Sequence, residues 1–430
     1  MRLLRIFLIT TTLFIYHHKI FSQASSPYSR LGLGDIRGTG FSSPRGFAEL
    51  GGGYASGVNI NFINPASYSK ITHTILEFGA NLDVLQIRAG NSNYRSHNGS
   101  FSHLALGVPL KKGSWGLSAG LLPYSNVNYT FRTKVNDTLA GSSQKIYRGL
   151  GALYQAYIGT GFKYKGFSAG VNAGLLFGKI DRSRLLIFPD TLNAFNTRYS
   201  SISRIRGFLY NAGIQYTAVL KKKSNENNLR SDIILVAGIY GNGIQPAQAS
   251  VTGLWERFVY DNTGAPRPVD TILRLKDEKF SLFIPYCVGG GITLGNESYW
   301  LVGADFRYTN WSNYENDYND SPLNDSWRGS VGFQFVPNSD SRSMWGKLML
   351  RAGAYFGQSI AFSQSNSINE AGGTLGIGIP LTRKTLARIN LAADIGQRGI
   401  GQSDNISETY SRLYLSFVLN DIWFIKRKFD

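Results

Sequence analysis

Apolar and polar residues alternate with a period of two over most of the chain after about residue 72. The clearest runs span residues 167–177, 300–309, 348–356, 387–395 and 412–420, each nine to eleven residues long. Because side chains of a strand point alternately to its two faces, this length matches a tilted strand crossing a bilayer core about 30 Å thick. A soluble β-sandwich also alternates, but its strands usually have about five or six residues. The pattern favours an all-β fold, a transmembrane antiparallel β-barrel with lipid outside and a wet or plugged lumen inside.

The runs indicate about fourteen strands. They cover residues 72–87, 99–110, 115–131, 145–165, 166–187, 198–220, 231–258, 270–295, 299–316, 325–337, 345–358, 366–381, 385–400 and 407–420. Short connections are expected at 111–114, 164–166, 295–298 and 381–384, and longer polar ones near 88–98, 132–144, 188–197, 259–269, 317–324 and 401–406. An even strand number closes the sheet and leaves both termini in the periplasm, with the longer loops outside.

The first residues have the features of an export signal. Arg2 and Arg5 precede an apolar run over residues 6–16, and Ser22-Gln23-Ala24 offers a cleavage site with small residues. The run is too short to span a bilayer, and the rest of the chain has no stretch of eighteen consecutive apolar residues. We therefore assign residues 1–24 to a signal peptide and predict localisation in the cell outer membrane.

The formal net charge of +18 would suggest an anionic partner in a soluble protein. The cations are dispersed over turns and the chain end, at Lys111-Lys112, Lys221-Lys222-Lys223, Arg383-Lys384 and Lys426-Arg427-Lys428. This distribution indicates solvated turns that face anionic lipid or envelope polymers, and no nucleic-acid partner is expected. Residues 425–430 are predicted to form a basic periplasmic tail.

Residues 25–71 fit no strand series and contain nine glycines between Gly32 and Gly57. Since the segment lies between the signal and the barrel, we predict that it is a hatch inside the lumen, with the barrel wall formed by 72–424. The trio Asn64, Pro65 and Ala66 is predicted to make the turn from hatch to wall. Proline lacks an amide donor and asparagine readily bonds nearby backbone, which suits a turn.

Catalytic and metal-binding patterns are weak. The histidines outside the signal show no metal-ligand spacing with a second His, Cys or carboxylate, so no metal or other cofactor is expected. Ser102 and His103 are adjacent, and on a regular strand adjacent side chains point apart. We predict that the protein is not an enzyme.

Ionic residues at alternating positions of the late strands are predicted to face the lumen. They are Asp305, Arg307, Arg351, Arg388, Asp394 and Arg412. Because buried charges need partners, a network that supports the hatch is favoured. A polar pathway or a carboxylate-binding site is the alternative.

Pro123 interrupts the third predicted strand, within Gly120-Leu121-Leu122-Pro123-Tyr124-Ser125. A proline inside a paired strand removes one ladder hydrogen bond, and a closed barrel offers no free edge, so a bulge is expected. A proline without consequence, near the end of the strand's membrane part, remains the alternative.

Several short motifs carry a family resemblance. The stretch Arg45-Gly46-Phe47-Ala48-Glu49-Leu50-Gly51-Gly52-Gly53-Tyr54-Ala55, followed by Asn64-Pro65-Ala66, resembles the N-terminal hatch of FadL-type transporters, the outer-membrane long-chain fatty-acid channel family. Trp300, Asp305 and Trp311 look like a pattern of that family too, and residues 420–428 are similar to the closing strand of Bacteroidetes barrels. The resemblance implies fourteen strands, a plug, and a kinked third strand that opens a lateral exit, which would fall at Pro123.

The resemblance leaves two functions open. The first is a channel for uptake of hydrophobic compounds such as long-chain fatty acids. The second is a non-transporting barrel that docks envelope or type IX secretion proteins, as some Bacteroidetes relatives do, because the loops here are polar where FadL-type loops are apolar. The expected partners are therefore outer-membrane lipid together with hydrophobic small molecules or secretion and envelope proteins.

Overall fold

The computed structural model describes residues 26–421 except 91, 138–140, 190–193, 222–232, 262, 317–321, 340, 342, 362–367, 383–385 and 401–405. The wall strands are β1 Thr74–Ala89, β2 Ser92–Lys111, β3 Trp115–Asp137, β4 Gly141–Tyr164, β5 Phe167–Ile187, β6 Asn196–Lys221, β7 Ile233–Asn242 with Gln245–Tyr260, β8 Pro266–Ile284 with Cys287–Asn296, β9 Trp300–Thr309, β10 Ser326–Phe335, β11 Met349–Ser359, β12 Ile368–Pro380, β13 Arg388–Arg398 and β14 Ser407–Asp421. A two-residue strand, Glu315–Asn316, continues β9 along β8.

The fourteen strands form a closed antiparallel barrel, which confirms the predicted fold class. Closure occurs where β14 pairs with β1, from Asp421 opposite Thr74 to Ser407 opposite Arg88. Outward positions are apolar: Ile395 on β13 is 58 % exposed, whereas Asp394 beside it is 7 % exposed. This arrangement is the one that a lipid-facing wall requires. We call the end with Thr74 and Asp421 the near end, and the opposite one the far end.

Strands β3 to β6 have 21 to 26 residues, whereas β9 to β13 have only 10 to 13. The far-end parts of β3 to β8 therefore rise above the rest of the wall. Two predicted loops were wrong: residues 88–98 are mostly the ends of β1 and β2 around a tight turn at Gly90, and 132–144 are mostly β3 and β4. Above the membrane both faces of a strand are wet or covered by protein, so the apolar alternation that marks a lipid-facing strand is absent.

The raised parts of β3 to β8 pack their inner faces together over the lumen. Their buried side chains form one apolar cluster with Leu33 of the N-terminal segment: Val127, Tyr129, Leu153, Leu176, Ile180, Ile205, Leu209, Ala249, Val251, Leu282 and Ile284. The raised sheet is thus stabilised by its own core, separate from the lipid-facing surface.

Residues 26–71 lie inside the barrel. Their short elements are the 3-10 helices Pro27–Arg30 and Pro65–Lys70, the strand Asp35–Ile36 and the helix Ser42–Arg45; two further 3-10 turns, Trp311–Asn313 and Trp345–Lys347, lie in wall connections. None of the described helices is long and apolar enough to cross a membrane.

Residues 46–68 of this segment follow the inner wall as a ring, and glycines make the close approach possible. Going round the wall from β12 to β3, hatch backbone or side chains touch the inner faces of Gly376, Gly353, Gly332, Gly303, Gly291, Gly238, Gly213, Gly170, Gly161 and Gly116. A Cβ on Gly116 would lie 2.1 Å from the carbonyl oxygen of Tyr68, so no side chain fits there. The ring fills the lumen in its near-end half.

The described N-terminal residues lie at the far end. Ser26 donates a hydrogen bond to Glu408, and the Tyr28 hydroxyl bonds the carbonyl oxygen of Ile406, both at the far end of β14. Asp421 lies at the near end, so the first and last described residues are on opposite sides of the barrel. The predicted signal peptide and the tail 425–430 lie outside the described residues.

Candidate functional site

A cavity of about 260 Å³ lies in the far-end half of the lumen, between the hatch ring and the raised sheet. One part of its lining is apolar and includes Leu31, Phe62, Leu209 and Ile284. The remainder is strongly charged, with six arginines and four carboxylates: Arg37, Arg45, Arg307, Arg328, Arg398, Arg412, Asp35, Glu49, Glu370 and Asp394. The lining therefore carries an excess of two positive charges beside an apolar wall.

Most of these charges hold the N-terminal segment to the wall. Arg398 of β13 lies 2.8 Å from an oxygen of Asp35 and 3.2 Å from one of Glu370 on β12. Arg412 of β14 lies 3.6 Å from an oxygen of Asp394 and 3.9 Å from one of Asp35. Because these groups are largely removed from water, their mutual pairing is what makes their burial tolerable.

Tyrosine hydroxyls complete this network. The Tyr355 hydroxyl lies 2.6 Å from both Asp394 Oδ1 and the Tyr410 hydroxyl, which in turn donates to Glu370. The Arg328 guanidinium stacks 3.6 Å above the Tyr355 ring. The side of the cavity formed by β10 to β14 is consequently rigid and polar.

Arg307 on β9 and Arg328 on β10 are direct register partners. Both line the cavity. Within the part of the chain that the structure describes, neither guanidinium lies within 4 Å of a carboxylate oxygen. Like charges in directly opposed positions repel each other. Glu49, which also lines the cavity, is a carboxylate whose charge acts on both guanidinium groups from beyond 4 Å.

The six ionic residues predicted for the lumen lie in separate places. Asp394 and Arg412 form an ion pair, and Asp305 Oδ2 accepts hydrogen bonds from the amides of Gly51 at 3.2 Å and Gly52 at 2.6 Å. Asp305 therefore fixes the hatch ring to β9.

Arg351 and Arg388, which were also predicted to face the lumen, lie apart from the cavity. Arg351 donates to Gln334 Oε1 at 2.9 Å and to Asn390 Oδ1 at 3.2 Å. Arg388 begins β13 at the near end, and its Nε and Nη1 have no hydrogen-bond partner among the described residues. Neither residue lines the cavity.

The predicted hatch junction is a buried helix start. Asn64 Oδ1 accepts from the Ala66 amide at 3.1 Å and so caps the 3-10 helix Pro65–Lys70. The Asn64 amide group also donates to the carbonyl oxygen of Gly52 at 2.9 Å. The trio contacts Gly161, Gly170 and Gly213 and precedes β1 by eight residues, so it closes the ring before the chain enters the wall.

Pro123 lies at an interruption of the wall. The β3–β4 ladder skips Tyr124, between Pro123 opposite Tyr154 and Ser125 opposite Leu153, which is a bulge. Pairing between β2 and β3 runs from Lys111 only as far as Leu104 opposite Leu121. Beyond it, the far-end parts of β2 and β3 are not paired with each other among the described residues, and the wall has a lateral gap.

The N-terminal segment covers this gap from inside. Asp35 and Ile36 pair with Asn126 and Ser125 on the free edge of β3. Arg37 then reaches past β2 to β1, where its Nη1 lies 2.7 Å from Asp83 Oδ2. We call residues 34–38 the gate segment, since they connect the two sides of the gap.

The prediction that Ser102 and His103 point apart was wrong. The β1–β2 ladder skips Ser102, so this bulge turns both side chains inward. Ser102 Oγ lies 3.1 Å from His103 Nδ1, and His103 Nε2 lies 3.1 Å from Glu77 Oε1. All three are buried and none lines the cavity. The described residues contain no group of three His, Cys, Asp or Glu side chains that could hold a metal ion.

The sequence pattern did not predict five of the charged residues that line the cavity: Asp35, Arg37, Arg328, Glu370 and Arg398. The signal for the last three was present, because they occupy inward positions of β10, β12 and β13 in phase with Asp394. Asp35 and Arg37 belong to a segment without periodicity, and only the folded chain brings them to the wall.

The closed barrel with its internal plug has the fold of FadL-type β-barrels. The toluene transporter TodX of Pseudomonas putida is 15 % identical over 90 % of this chain and 100 % of its own, with a TM-score of 0.56. A FadL homologue of Pseudomonas aeruginosa is 14 % identical over 91 % of this chain and 100 % of its own, with a TM-score of 0.54. The monoaromatic hydrocarbon channel CymD is 12 % identical over 90 % of this chain and 98 % of its own, with a TM-score of 0.53. At such identities the likeness shows the fold.

A family model described as BamG matches residues 3–430, so the chain belongs to the BamG family. No curated protein sequence matches the chain.

Proposed function

We propose that this protein is an outer-membrane channel for the uptake of hydrophobic compounds through a lateral exit in its wall. The observation that carries the proposal is the position of Tyr124. This residue is the bulge of β3 beside the gap, and it also lines the cavity. A compound held in the cavity is therefore one side chain away from the opening toward lipid.

The hatch ring favours a lateral over an axial route. It touches ten consecutive wall strands in the near-end half, and Asn64, Tyr68 and Phe47 within it are at most 1 % exposed. Movement of the gate segment would uncover the gap by breaking the two backbone pairings with β3, the ion pairs of Asp35 with Arg398 and Arg412, and the ion pair of Arg37 with Asp83. Displacing the ring would break many more contacts.

The cavity chemistry supports an amphiphile with a negative headgroup as the substrate, such as a long-chain fatty acid. Arg307 and Arg328 would bind the carboxylate, since charge-assisted and bidentate hydrogen bonds are the strong ones for this group. Leu209 and Ile284, which also line the cavity, would contact the hydrocarbon chain. A neutral hydrocarbon would leave the arginine pair without an anion.

The same fold supports placement in the outer membrane. Outer-membrane barrels have short periplasmic turns and longer extracellular parts. The turns 112–114 and 165–166 are at the near end, and the raised sheet is at the far end. The near end is accordingly proposed to face the periplasm and the raised sheet the exterior.

Uptake by cells tests this proposal directly. Cells that lack the gene and cells that express it would be given a radiolabelled fatty acid and, separately, radiolabelled toluene. Faster uptake of the fatty acid in expressing cells is expected. Equal rates in both strains for both compounds would reject the channel function.

A free strand edge favours protein docking as the second candidate. The far-end part of β8, residues 266–281, pairs with β7 and with no other described strand. Val269, Ile272 and Leu273 on it are 44–50 % exposed. Exposed strand edges pair readily with a further strand, although Pro266 and Pro268 lack the amide donors that such pairing uses.

Affinity purification of the full-length barrel from its native envelope tests docking. A stoichiometric protein that is lost when Ile272 is changed to Lys would support this role. A barrel that purifies alone in both forms would reject it.

A further inference from the structure

The outer face of the raised sheet carries a compact group of cations directly above the lipid-facing belt. Phe177 on β5 and Phe208 on β6 are 41 % and 53 % exposed and belong to this belt. The next outward positions toward the far end are Lys179 on β5 and Arg206, then Arg204, on β6. On β5 and β6 the change from apolar to cationic residues occurs within one outward position of the same register.

These cations are neighbours in space. Lys179 is the register partner of Arg204, and Phe177 is the partner of Arg206. Opposed residues of an antiparallel pair have Cβ atoms about 5 Å apart, and outward neighbours on one strand are about 7 Å apart. Arg148 on β4 is also exposed and lies beyond Leu150, the outermost apolar residue of that strand. We call Arg148, Lys179, Arg204 and Arg206 the basic girdle.

The carboxylates near the girdle compensate it only in part. Lys179 lies 3.6 Å from Asp181 and Arg204 lies 3.2 Å from Asp277. The side chains of these pairs are 39–65 % exposed, and ion pairs at such positions are weak. Arg148 and Arg206 have no carboxylate within 4 Å among the described residues.

The opposite wall provides an internal comparison. On β13 the outward residue after Ile395 is Gln397, and on β14 the outward positions beyond Leu413 are Ser411 and Thr409. These strands cross the same bilayer without cations at this height. The girdle is therefore not repeated on the side of the wall formed by β13 and β14.

We propose that the basic girdle binds the phosphate groups of a lipid in the outer leaflet, whose acyl chains lie along the belt at Phe177 and Phe208. Cations placed at the membrane surface attract anionic headgroups, and arginine forks match phosphate oxygens. The continuity of the belt with the girdle favours a lipid over a soluble phosphate. The inference concerns the outside of the barrel and does not depend on transport.

The test compares full-length wild type with the triple variant Lys179→Gln, Arg204→Gln, Arg206→Gln in detergent. Binding of diphosphorylated lipid A and of its dephosphorylated form would be measured by native mass spectrometry over a range of lipid concentrations. The affinity for the phosphorylated lipid should fall about fivefold for each cation removed. The dephosphorylated lipid should bind both proteins weakly, and millimolar inorganic phosphate should not displace lipid A.

A matched control removes two exposed cations from the tip of β3, Arg132→Gln with Lys134→Gln, and should leave binding unchanged. Heat-modifiable mobility on gels verifies that each variant is folded. If the triple variant does not fold, Arg206→Gln and Arg206→Lys replace it, and only the glutamine form should lose affinity. Equal binding by the wild type and the girdle variant would overturn the proposal. So would an equal loss in the tip control, equal binding of both lipid forms, or displacement by phosphate.

Discussion

Arg307 and Arg328 face each other across β9 and β10 with both side chains at the cavity, and no described carboxylate lies within 4 Å of either. Asp305, two residues before Arg307, bonds the hatch amides and the Tyr240 hydroxyl. The nearest acid on the strand is thus already engaged by the plug. Arg307 and Arg328 therefore repel each other, and both are placed where they could contact an anion in the cavity.

The first prediction concerns this pair. Replacing Arg307 by Gln should change the stability of the barrel by less than about 1 kcal/mol, because it removes both the like-charge opposition to Arg328 and the attraction to Glu49. The same change should weaken fatty-acid binding about tenfold or more, since a hydrogen bond to a charged group is lost. Thermal unfolding in detergent and isothermal titration measure the two effects. Arg351→Gln is the control, because Arg351 does not line the cavity. Equal fatty-acid affinity in wild type and Arg307→Gln would contradict the assignment.

A second prediction concerns the lateral gap. Changing Pro123 to Val restores an amide donor and suits a strand, so it should straighten β3 and narrow the gap. Uptake of a fatty acid should fall while barrel stability holds or rises. Pro109 on β2 lies beside a similar ladder irregularity at the near end, away from the gap, so Pro109→Val should leave uptake unchanged. If the Pro123 variant transports at the wild-type rate, or neither protein transports, there is no lateral exit.

The third prediction uses two glycines of β12. A Cβ on Gly376 would lie 2.7 Å from the Cα of Gly46 in the hatch ring, whereas one on Gly373 would meet no atom closer than 3.6 Å. Gly376→Val should destabilise the protein by about 1–3 kcal/mol through overpacking and loosen the plug. Single-channel recordings in planar bilayers should then show larger or more frequent openings than for Gly373→Val. Identical conductance in the two variants would show that the ring does not limit the pore.

The fourth prediction tests the anchor of the N-terminal segment. Arg398→Gln leaves Asp35 and Glu370 buried with less compensation and should cost about 3–5 kcal/mol of unfolding free energy. Protease sensitivity of residues 26–45 should rise as the segment is released. Arg257→Gln breaks an exposed ion pair with Asp270 on the raised sheet and should change little. Similar protease patterns for the two variants would argue against an anchoring role.

Period-two alternation determined the barrel. The lipid-facing side chains of β5 and β9 to β14 follow it closely, because a membrane imposes an apolar residue at every second position. The same alternation predicts that Asp305, Asp394 and Arg412 face the lumen. Pro123 was recognisable as a ladder defect from its chemistry alone.

The contacts that these residues make depend on the tertiary structure. The far-end parts of β3 and β4 carry no apolar period, since water or the raised core covers their faces, so the sequence pattern predicts loops there. The ring of inward glycines has meaning only when residues 46–68 lie against it. The bulge at Ser102 reversed the direction of one side chain, which strand periodicity cannot foresee. Asp35 and Arg398 are 363 residues apart in sequence, and a contact between a plug without periodicity and a closing wall is set by packing in three dimensions, which no local pattern encodes.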